Sequence, residues 1–441
     1  MTNEETSAQA HADSICQDLL GFIDAAPTPY HAVAEAGARL GAAGSAVCPL
    51  DADFSALSGG AYHTVVGDGA LFATLRPRGK IRSFRIVAAH TDSPNLRLKL
   101  APVYEKAGYL QLGVEVYGGV LLNSWLDRDL QLAGRVFQKG QADGLTTRLV
   151  HLSQPLLRVP QLAIHLDREV SEKGLLLNRQ EHLVPVLGIG SGQDETARLH
   201  SLCANALGCH PQDLVAIELH LADAAKSTRA GLAQEFVFAP RLDNLAMCHA
   251  GLTAFLRSLA ADEPEGVCRV LCLFDHEEVG SHSDRGANSS VLGSLLARHA
   301  LGSGCSQEQF HQAMARSRCV SADMAHGVHP NYADRHEPHH RPKLNGGPVL
   351  KVNAQQRYAT SAQSAAWLTQ LAERSGVPLQ QYVHRTDLPC GSTIGPALAA
   401  QLGVSTVDIG NPMLSMHSAR EMAGAHDPAQ MVRLLEPFFL S

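Results

Sequence analysis

Acidic and histidine side chains follow several apolar segments of this chain, at the points where those segments end. His90 and Asp92 follow one such segment, and Glu277 and Glu278 follow the most apolar one, at 267–274. Open α/β sheets bind ligands just beyond the carboxyl ends of their parallel strands. We therefore expect these side chains to meet at one edge of a sheet, although a single His-x-Asp could also be a turn in which the Asp caps the next element.

The adjacent carboxylates of Glu277 and Glu278 point to hydrolysis assisted by a metal ion. Two acidic groups at the tip of a buried strand repel each other, so a cation or a shared proton must offset the cost. Such hydrolysis needs one carboxylate as a ligand and a second, uncoordinated one that takes a proton from water. A solvated acidic turn is the alternative, which the neighbouring residues Gly280, Ser281, His282 and Asp284 make less favourable.

Three further residues extend this donor set: Asp243 before a helix, Asp323 after a short strand and His417 after the last strand. Taken singly, Asp243 is an ordinary helix N-cap and His417 an ordinary loop residue. Taken together, two histidines and three carboxylates without a thiolate suit zinc, and manganese or cobalt would also fit. Such a set is large enough for two ions sharing a bridging carboxylate.

The elements that position these residues predict the fold class α/β, with a mainly parallel sheet flanked by helices. Between about 96 and 234, alternating and β-branched segments predict an inserted, mostly β domain. The predicted domains are a catalytic domain in two parts, 1–98 and 235–441, and the insertion at 99–234. The elements predicted include strands at 84–89, 161–166, 267–274 and 404–409, and helices at 242–259 and 428–435, the last with Asp427 as its N-cap.

Composition excludes several classes of protein. The 441 residues carry 36 Lys and Arg against 43 Asp and Glu, a net charge of −7, and no basic run indicates a nucleic-acid or anionic-membrane partner. We expect no membrane association, since no apolar stretch approaches the roughly 20 residues that span a bilayer. The ten cysteines form no Cys-x-x-Cys pair, and the polar, acidic start differs from a secretion signal, which predicts reduced thiols and a cytoplasmic protein.

The order and spacing of these residues resemble the aspartyl aminopeptidases, a family of cocatalytic zinc exopeptidases. The resemblance extends from about residue 15 to the C-terminus and includes long blocks besides the site residues. Among them are Ala88-Ala-His-Thr-Asp-Ser-Pro-Asn-Leu-Arg-Leu-Lys99 and Asn123-Ser-Trp-Leu-Asp-Arg-Asp129. Shorter blocks lie at 29–33, 163–166, 275–281, 321–324 and 350–353.

The resemblance implies a role for each site residue. The ligands of two zinc ions per subunit would be His90, Asp243, Glu278, Asp323 and His417, with Asp243 bridging. Glu277 would be the general base, and Asp92 would orient His90. The catalytic domain would resemble those of zinc exopeptidases, the insertion would mediate dimerisation, and the assembly would be a dodecamer built from dimers.

Four more residues are implied as contacts of the substrate. His165, placed by the sequence in an alternating strand, would reach a neighbouring subunit's active site and contact the substrate or the transition-state oxyanion. Lys351 and Tyr358 would line the pocket for the first side chain of the substrate, with Met413 at its rim. A lysine there would favour Asp or Glu, because its ammonium would pair with their carboxylates.

We therefore expect a zinc metalloaminopeptidase that removes N-terminal residues, preferably Asp or Glu, from peptides. One alternative is a related dizinc carboxypeptidase or amide deacylase, which would share the ligands but not the pocket. The other is a non-enzymatic assembly or cargo protein that keeps the fold. A degenerate site would mark that second alternative, whereas every predicted ligand position and the base are filled in this chain.

Overall fold

The structure is a computed structural model that describes residues 3–140, 144–192, 195, 197–261 and 264–441, with side chains described from residue 9 onward. The chain divides into two compact units. The first contains the chain up to Asp92, Ser227–Met416 and Glu421–Ser441, and the second contains Ser93–Lys226 and His417–Arg420. The second unit begins and ends a few residues before the boundaries predicted at 99 and 234, and it includes a short return of the chain that the sequence did not indicate.

The helices and strands are numbered separately, in chain order. The helices are α1 Asn3–Ala25, α2 Pro29–Ala42, α3 Val170–Lys173, α4 Arg198–Leu207, α5 Leu242–Ser258, α6 Val291–Gly302, α7 Gln307–Ala315, α8 Ala362–Ser375, α9 Ile394–Leu402 and α10 Asp427–Phe439. The strands are β1 Ala46–Val47, β2 Gly60–Val66, β3 Ala70–Arg76, β4 Ser83–His90, β5 Asn95–Lys106, β6 Tyr109–Tyr117, β7 Leu130–Lys139, β8 Leu145–Leu157, β9 Val186–Ile189, β10 Leu214–Asp223, β11 Thr228–Ala230, β12 Phe236–Ala239, β13 Val267–Phe274, β14 Arg318–Ala322, β15 Ala325–His326, β16 Val349–Val352, β17 Gln380–Val383, β18 Ser405–Gly410, β19 Pro412–Leu414 and β20 Glu421–Gly424.

The first unit contains a nine-stranded sheet in the order β1-β2-β3-β13-β4-β14-β18-β16-β17. The four central strands, β13, β4, β14 and β18, run parallel, and antiparallel pairs occur only toward the two sides. Side chains of β4 alternate between two apolar cores: Val87 and Ala89 pack with α1, α5 and α10, whereas Ile86 and Ala88 pack with α6, α7 and α9. This confirms the predicted α/β class, with helices on both faces of a sheet that is parallel at its centre.

The register of the central strands aligns the ends from which the site residues emerge. Phe274 at the end of β13 pairs with His90 at the end of β4, and Ala322 at the end of β14 pairs with Ile409 of β18. Parallel strands in register end at one edge of the sheet, so the residues that follow them share that edge. A separate five-stranded sheet of the same unit, in the order β11-β12-β20-β19-β15, adds the strand that carries Glu421.

The second unit is built on a six-stranded antiparallel sheet in the order β8-β7-β10-β5-β6-β9, with its own apolar core. The strand predicted at 161–166 is wrong, because these residues form a turn and an irregular segment. The alternating apolar residues that suggested a strand, Leu162, Ile164 and Leu166, are 57%, 49% and 75% exposed. Alternation predicts a strand only where the apolar face is buried, and the apolar side chains of this segment are not buried within the subunit.

The cap predicted for the last helix is also wrong. Asp427 is the first residue of α10 and His426 precedes it as the cap residue. The Asp427 carboxylate instead accepts hydrogen bonds from the backbone N–H groups of Asn345 and Gly347, at 2.7 and 2.9 Å. Within the described residues, the helices are too short or too polar to cross a membrane.

Candidate active site

His90 is the centre of an acidic cluster in the first unit. It ends β4, and its side chain is 1% exposed. Its Nε2 atom lies 3.4 Å from Oδ1 of Asp323, 3.6 Å from Oδ1 of Asp243 and 4.0 Å from Oε2 of Glu277. Three carboxylates from distant parts of the chain therefore face one imidazole nitrogen.

Asp92 lies on the other side of the imidazole. The Nδ1 atom of His90 is 3.0 Å from the backbone carbonyl oxygen of Asp92 and 3.4 Å from its Oδ1 atom. The Asp92 carboxylate is fully buried and also accepts hydrogen bonds from the backbone N–H groups of Glu277 and Glu278, both at 3.1 Å. Asp92 therefore contacts both the histidine and the turn that carries the paired glutamates.

A tight turn after β13 presents Glu277 and Glu278. His276 enters it in the left-handed conformation, with φ of 63°, and a single 3-10 turn covers Glu277–Val279. The buried Asp275 carboxylate accepts a hydrogen bond from the backbone N–H of His276 at 2.8 Å and pairs with Arg285 Nε at 2.8 Å. The sheet and this ion pair together fix the direction in which the glutamates leave the strand.

Asp243 lies at the start of α5, but it is not an N-cap. Arg241 occupies the cap position, and its own side chain makes no capping hydrogen bond. The backbone N–H of Asp243 instead donates to Oε2 of Glu421 at 3.0 Å, and Asn244 Nδ2 donates to the carbonyl of Ala322 at 2.9 Å. These bonds tie the start of α5 to β20 and to the end of β14.

Glu421 is a residue that sequence reasoning missed. It is 2% exposed and belongs to the five-stranded sheet, and its carboxylate supports the backbone of Asp243. Its position four residues after His417 gave no spacing signal of its own. No local pattern marks Glu421, because its burial and its hydrogen bond to Asp243 arise only in the folded chain.

Lys351 pairs with Asp323 in the interior. The Lys351 side chain is 2% exposed, and Nζ donates to the carbonyl oxygens of Asp323 at 2.8 Å and Met324 at 3.1 Å. Nζ also lies 3.4 Å from Oδ2 of Asp323 and 5.2 Å from the centre of the Tyr358 ring. Lys351 and Tyr358 are therefore brought together as expected, but the ammonium hydrogens are directed toward Asp323 and Met324. Met413, in β19, is buried.

Charge crowding shifts the titration of these groups. Burial raises the pKa of Glu277 to about 8; His90 acts against this, and the carboxylates of Asp323, Asp92 and Asp243 add to it. Burial also opposes the charging of His90, but the surrounding carboxylates outweigh it and hold the pKa of His90 well above its ordinary value. For Asp323, Lys351 and His90 more than offset burial, so its pKa lies below the usual range.

The donor atoms fit a divalent cation. One ligand atom from each of His90, Asp243 and Glu278 lies within 4.8 Å of the other two. A buried imidazole among carboxylates, with no thiolate in this group, is the nitrogen and oxygen set that zinc accepts. A cation at this position would also offset the burial and the neighbouring carboxylates that raise the pKa of Glu277.

His417 and His165 belong to the second unit. His417 has a φ of 68°, and its Nδ1 atom is 2.9 Å from the carbonyl oxygen of Gly119. It is followed by a turn and then by β20, so it does not come after the last strand as the sequence predicted. His165 is exposed in the irregular segment that replaces the predicted strand. The roles expected of both residues remain predictions.

Comparison with known proteins identifies the family. The model of the family described as aminopeptidase I zinc metalloprotease (M18) matches residues 22–439. A probable M18 family aminopeptidase 2 of Streptomyces coelicolor is 48% identical over 425 residues, covering 96% of each chain. A probable aspartyl aminopeptidase of Ricinus communis is 39% identical, covering 98% of this chain and 96% of that protein.

Solved structures agree with these relatives. A chain in the cryo-EM structure of the Ape4 and Nbr1 complex superposes with a TM-score of 0.93 and 41% identity, covering 97% of this chain and 86% of that one. The structure of the Saccharomyces cerevisiae mApe1 dodecamer matches with a TM-score of 0.86 and 27% identity, covering 97% of both chains. The chain thus belongs to the M18 family of zinc metalloproteases and is an aminopeptidase, a hydrolase of peptide bonds.

Proposed function

We propose that each subunit binds two zinc ions through His90, Asp243, Glu278, Asp323 and His417, with Asp243 bridging, and that Glu277 acts as the general base. The observation that carries this proposal is the convergence of three carboxylates from separate segments on Nε2 of His90, at 3.4–4.0 Å. The zinc description of the family supports the metal. The number of ions, and the inclusion of His417, rest on the resemblance to the aspartyl aminopeptidases.

Glu277 is suited to the proton transfers that peptide hydrolysis requires. Bound zinc would supply the polarisation of the scissile carbonyl and lower the pKa of the attacking water. Glu277 accepts the proton of that water and later donates it to the amine of the leaving peptide. Without a cation, burial and the neighbouring carboxylates raise its pKa to about 8. A bound cation would lower that pKa toward the deprotonated form in which a base accepts a proton.

We propose a preference for peptides that begin with Asp or Glu. The name of the Ricinus communis relative and the buried ammonium of Lys351 beside Tyr358 support this preference. Because Nζ already donates to Asp323 and Met324, the lysine would act through its positive charge near the pocket more than through a direct bond to the substrate. Met413 would form the rim of the pocket.

A profile of cleavage rates tests this substrate assignment. Anilides of Asp, Glu, Ala and Leu, together with an N-blocked Asp anilide, are compared with zinc, manganese and cobalt in turn. The proposal predicts the highest kcat/KM for the acidic anilides and no cleavage of the blocked one. Equal rates for Asp and Leu would overturn the acidic preference, and cleavage of the blocked substrate would overturn the need for a free amino terminus.

We also propose a cytoplasmic dodecamer assembled from dimers through the second unit. The dodecamer named for the similar mApe1 structure supports the assembly, as do the exposed apolar side chains at 162, 164 and 166. In this assembly His165 of an adjacent copy contacts the substrate. The ten free cysteines, most of them buried, fit a reducing compartment. Size-exclusion chromatography with light scattering tests the assembly: a monomer or a lone dimer at micromolar concentration would contradict it.

A further inference from the structure

The carboxylate of Asp92 has a second structural relationship besides its approach to His90. Its Oδ1 atom accepts the backbone N–H of Glu277, and its Oδ2 atom accepts the backbone N–H of Glu278, each at 3.1 Å. These amides belong to the two residues assigned as the general base and a metal ligand. Each oxygen of one buried carboxylate thus holds one residue of the turn.

His90 depends less on this carboxylate than the expected role of Asp92 implies. The Nδ1 atom of His90 is 3.0 Å from the backbone carbonyl of Asp92 and 3.4 Å from its Oδ1 atom. The shorter contact involves the main chain and does not use the Asp92 side chain. The hydrogen bonds to the amides of Glu277 and Glu278, in contrast, are made by the side chain alone.

The turn needs such an anchor. It follows a residue in the left-handed conformation, His276, and it ends at Gly280, which has a φ of 96°. One 3-10 turn supplies few internal bonds, so its amides require an outside acceptor. A carboxylate that accepts two N–H groups makes charge-assisted bonds, which are stronger than bonds between neutral groups.

We propose that Asp92 is a positioning residue for Glu277 and Glu278, and that its carboxylate sets the direction of the general base by holding both backbone amides of the turn. This inference deepens the proposed function and rests on it in assigning Glu277 as the base. The hydrogen bonds themselves can be tested whether or not that assignment holds.

Hydrogen exchange of the full-length enzyme measures these bonds directly. In Asp92→Asn one acceptor oxygen becomes an NH2 group that faces a backbone N–H, so the amides of residues 277 and 278 should exchange at least about tenfold faster than in the wild type. Asp427→Asn is the matched control, because that buried carboxylate also accepts two backbone amides, from Asn345 and Gly347. The control should speed exchange at 345 and 347 and leave 277 and 278 unchanged. Unchanged exchange at 277 and 278 in Asp92→Asn would overturn the proposal.

Kinetics with added zinc separate positioning of the base from support of His90. If Asp92 positions the base, Asp92→Asn should lower kcat by about a hundredfold with little change in KM, and saturating zinc should not restore it. Full recovery of kcat with zinc would show that Asp92 supports only the metal ligands, His90 or Glu278, and would overturn its role in directing the general base. Asp92→Glu keeps the charge but displaces the oxygens, and it should lose kcat as well; wild-type kcat in this variant would contradict the required geometry. If Glu277→Gln stayed active, Glu277 would not be the general base. The hydrogen-exchange result would still show whether Asp92 holds the amides of residues 277 and 278.

Discussion

The ammonium of Lys351 lies 3.4 Å from Oδ2 of Asp323 and donates to the carbonyl oxygen of the same residue at 2.8 Å. Oδ1 of that carboxylate lies 3.4 Å from Nε2 of His90. Asp323 therefore lies between Lys351, the cation proposed to favour acidic substrates, and His90, a proposed zinc ligand. Replacing Lys351 should therefore alter both the preferred substrate and the pKa of Asp323, which the Lys351 ammonium lowers.

Lys351→Met should lower kcat/KM for an Asp anilide at least about tenfold more than for a Leu anilide, because the positive charge that favours an acidic side chain is removed. The ratio of the two constants is measured on variant and wild type at equal zinc content. Lys351→Arg, which retains the charge, is the control and should retain more of the preference. An unchanged ratio in Lys351→Met would contradict the role of Lys351 in substrate choice.

Glu421→Leu should weaken zinc binding by about 10–100-fold, the usual effect of removing an outer-shell support of a metal ligand. The physical reason is that the backbone N–H of Asp243 loses its acceptor in the interior. Glu421→Gln keeps an oxygen at that position and should bind zinc nearly as the wild type does. Competition with a chromophoric chelator gives the affinities; equal affinity of the Leu variant and the wild type would be the contrary result.

His299 should make the protein less stable as the pH falls. Its ring is buried between Thr74 and Phe54, and burial, aided by Arg76 and Arg298, lowers its pKa to about 4. The unfolded chain binds a proton near pH 6.5, so this group contributes its full stability above that pH and loses it as the pH falls toward 4. The change amounts to at most about 3 kcal/mol.

Urea unfolding at pH values from 7 to 4 compares the wild type with His299→Gln, which cannot titrate. The free energy of unfolding of the wild type should fall more steeply with decreasing pH than that of the variant. Parallel curves for the two proteins would show that His299 contributes nothing to the acid sensitivity.

The amino-acid sequence predicts most of the central sheet because its strands are continuous apolar runs. Val267–Phe274 and Ser83–His90 are buried on both faces, and the polar residues that follow them mark the edge where the site forms. The approach of His90, Glu277 and Asp323 to one another was foreseeable for this reason. The contacts of Asp243 also show why an aspartate before a helix need not be a cap.

Other features depend on tertiary contacts that local patterns do not reveal. The segment 161–166 alternates like a strand but has no covering face within the subunit. The family resemblance implied that Lys351 contacts the substrate, whereas the burial of its ammonium against Asp323 depends on the packing of β16 near the end of β14. The hydrogen bond from the backbone N–H of Asp243 to Glu421 joins residues that are 178 positions apart, and no short-range sequence pattern predicts such a contact.

The most direct test of the proposed mechanism measures zinc content and turnover on the same sample of Glu277→Gln. Glutamine keeps the shape of Glu277 but cannot accept the proton of the water. We expect two zinc ions per subunit, as in the wild type, and a kcat reduced by about 10³-fold or more. Near-normal turnover at full zinc content would contradict the role of Glu277, and loss of zinc from this variant would show that Glu277 is a ligand.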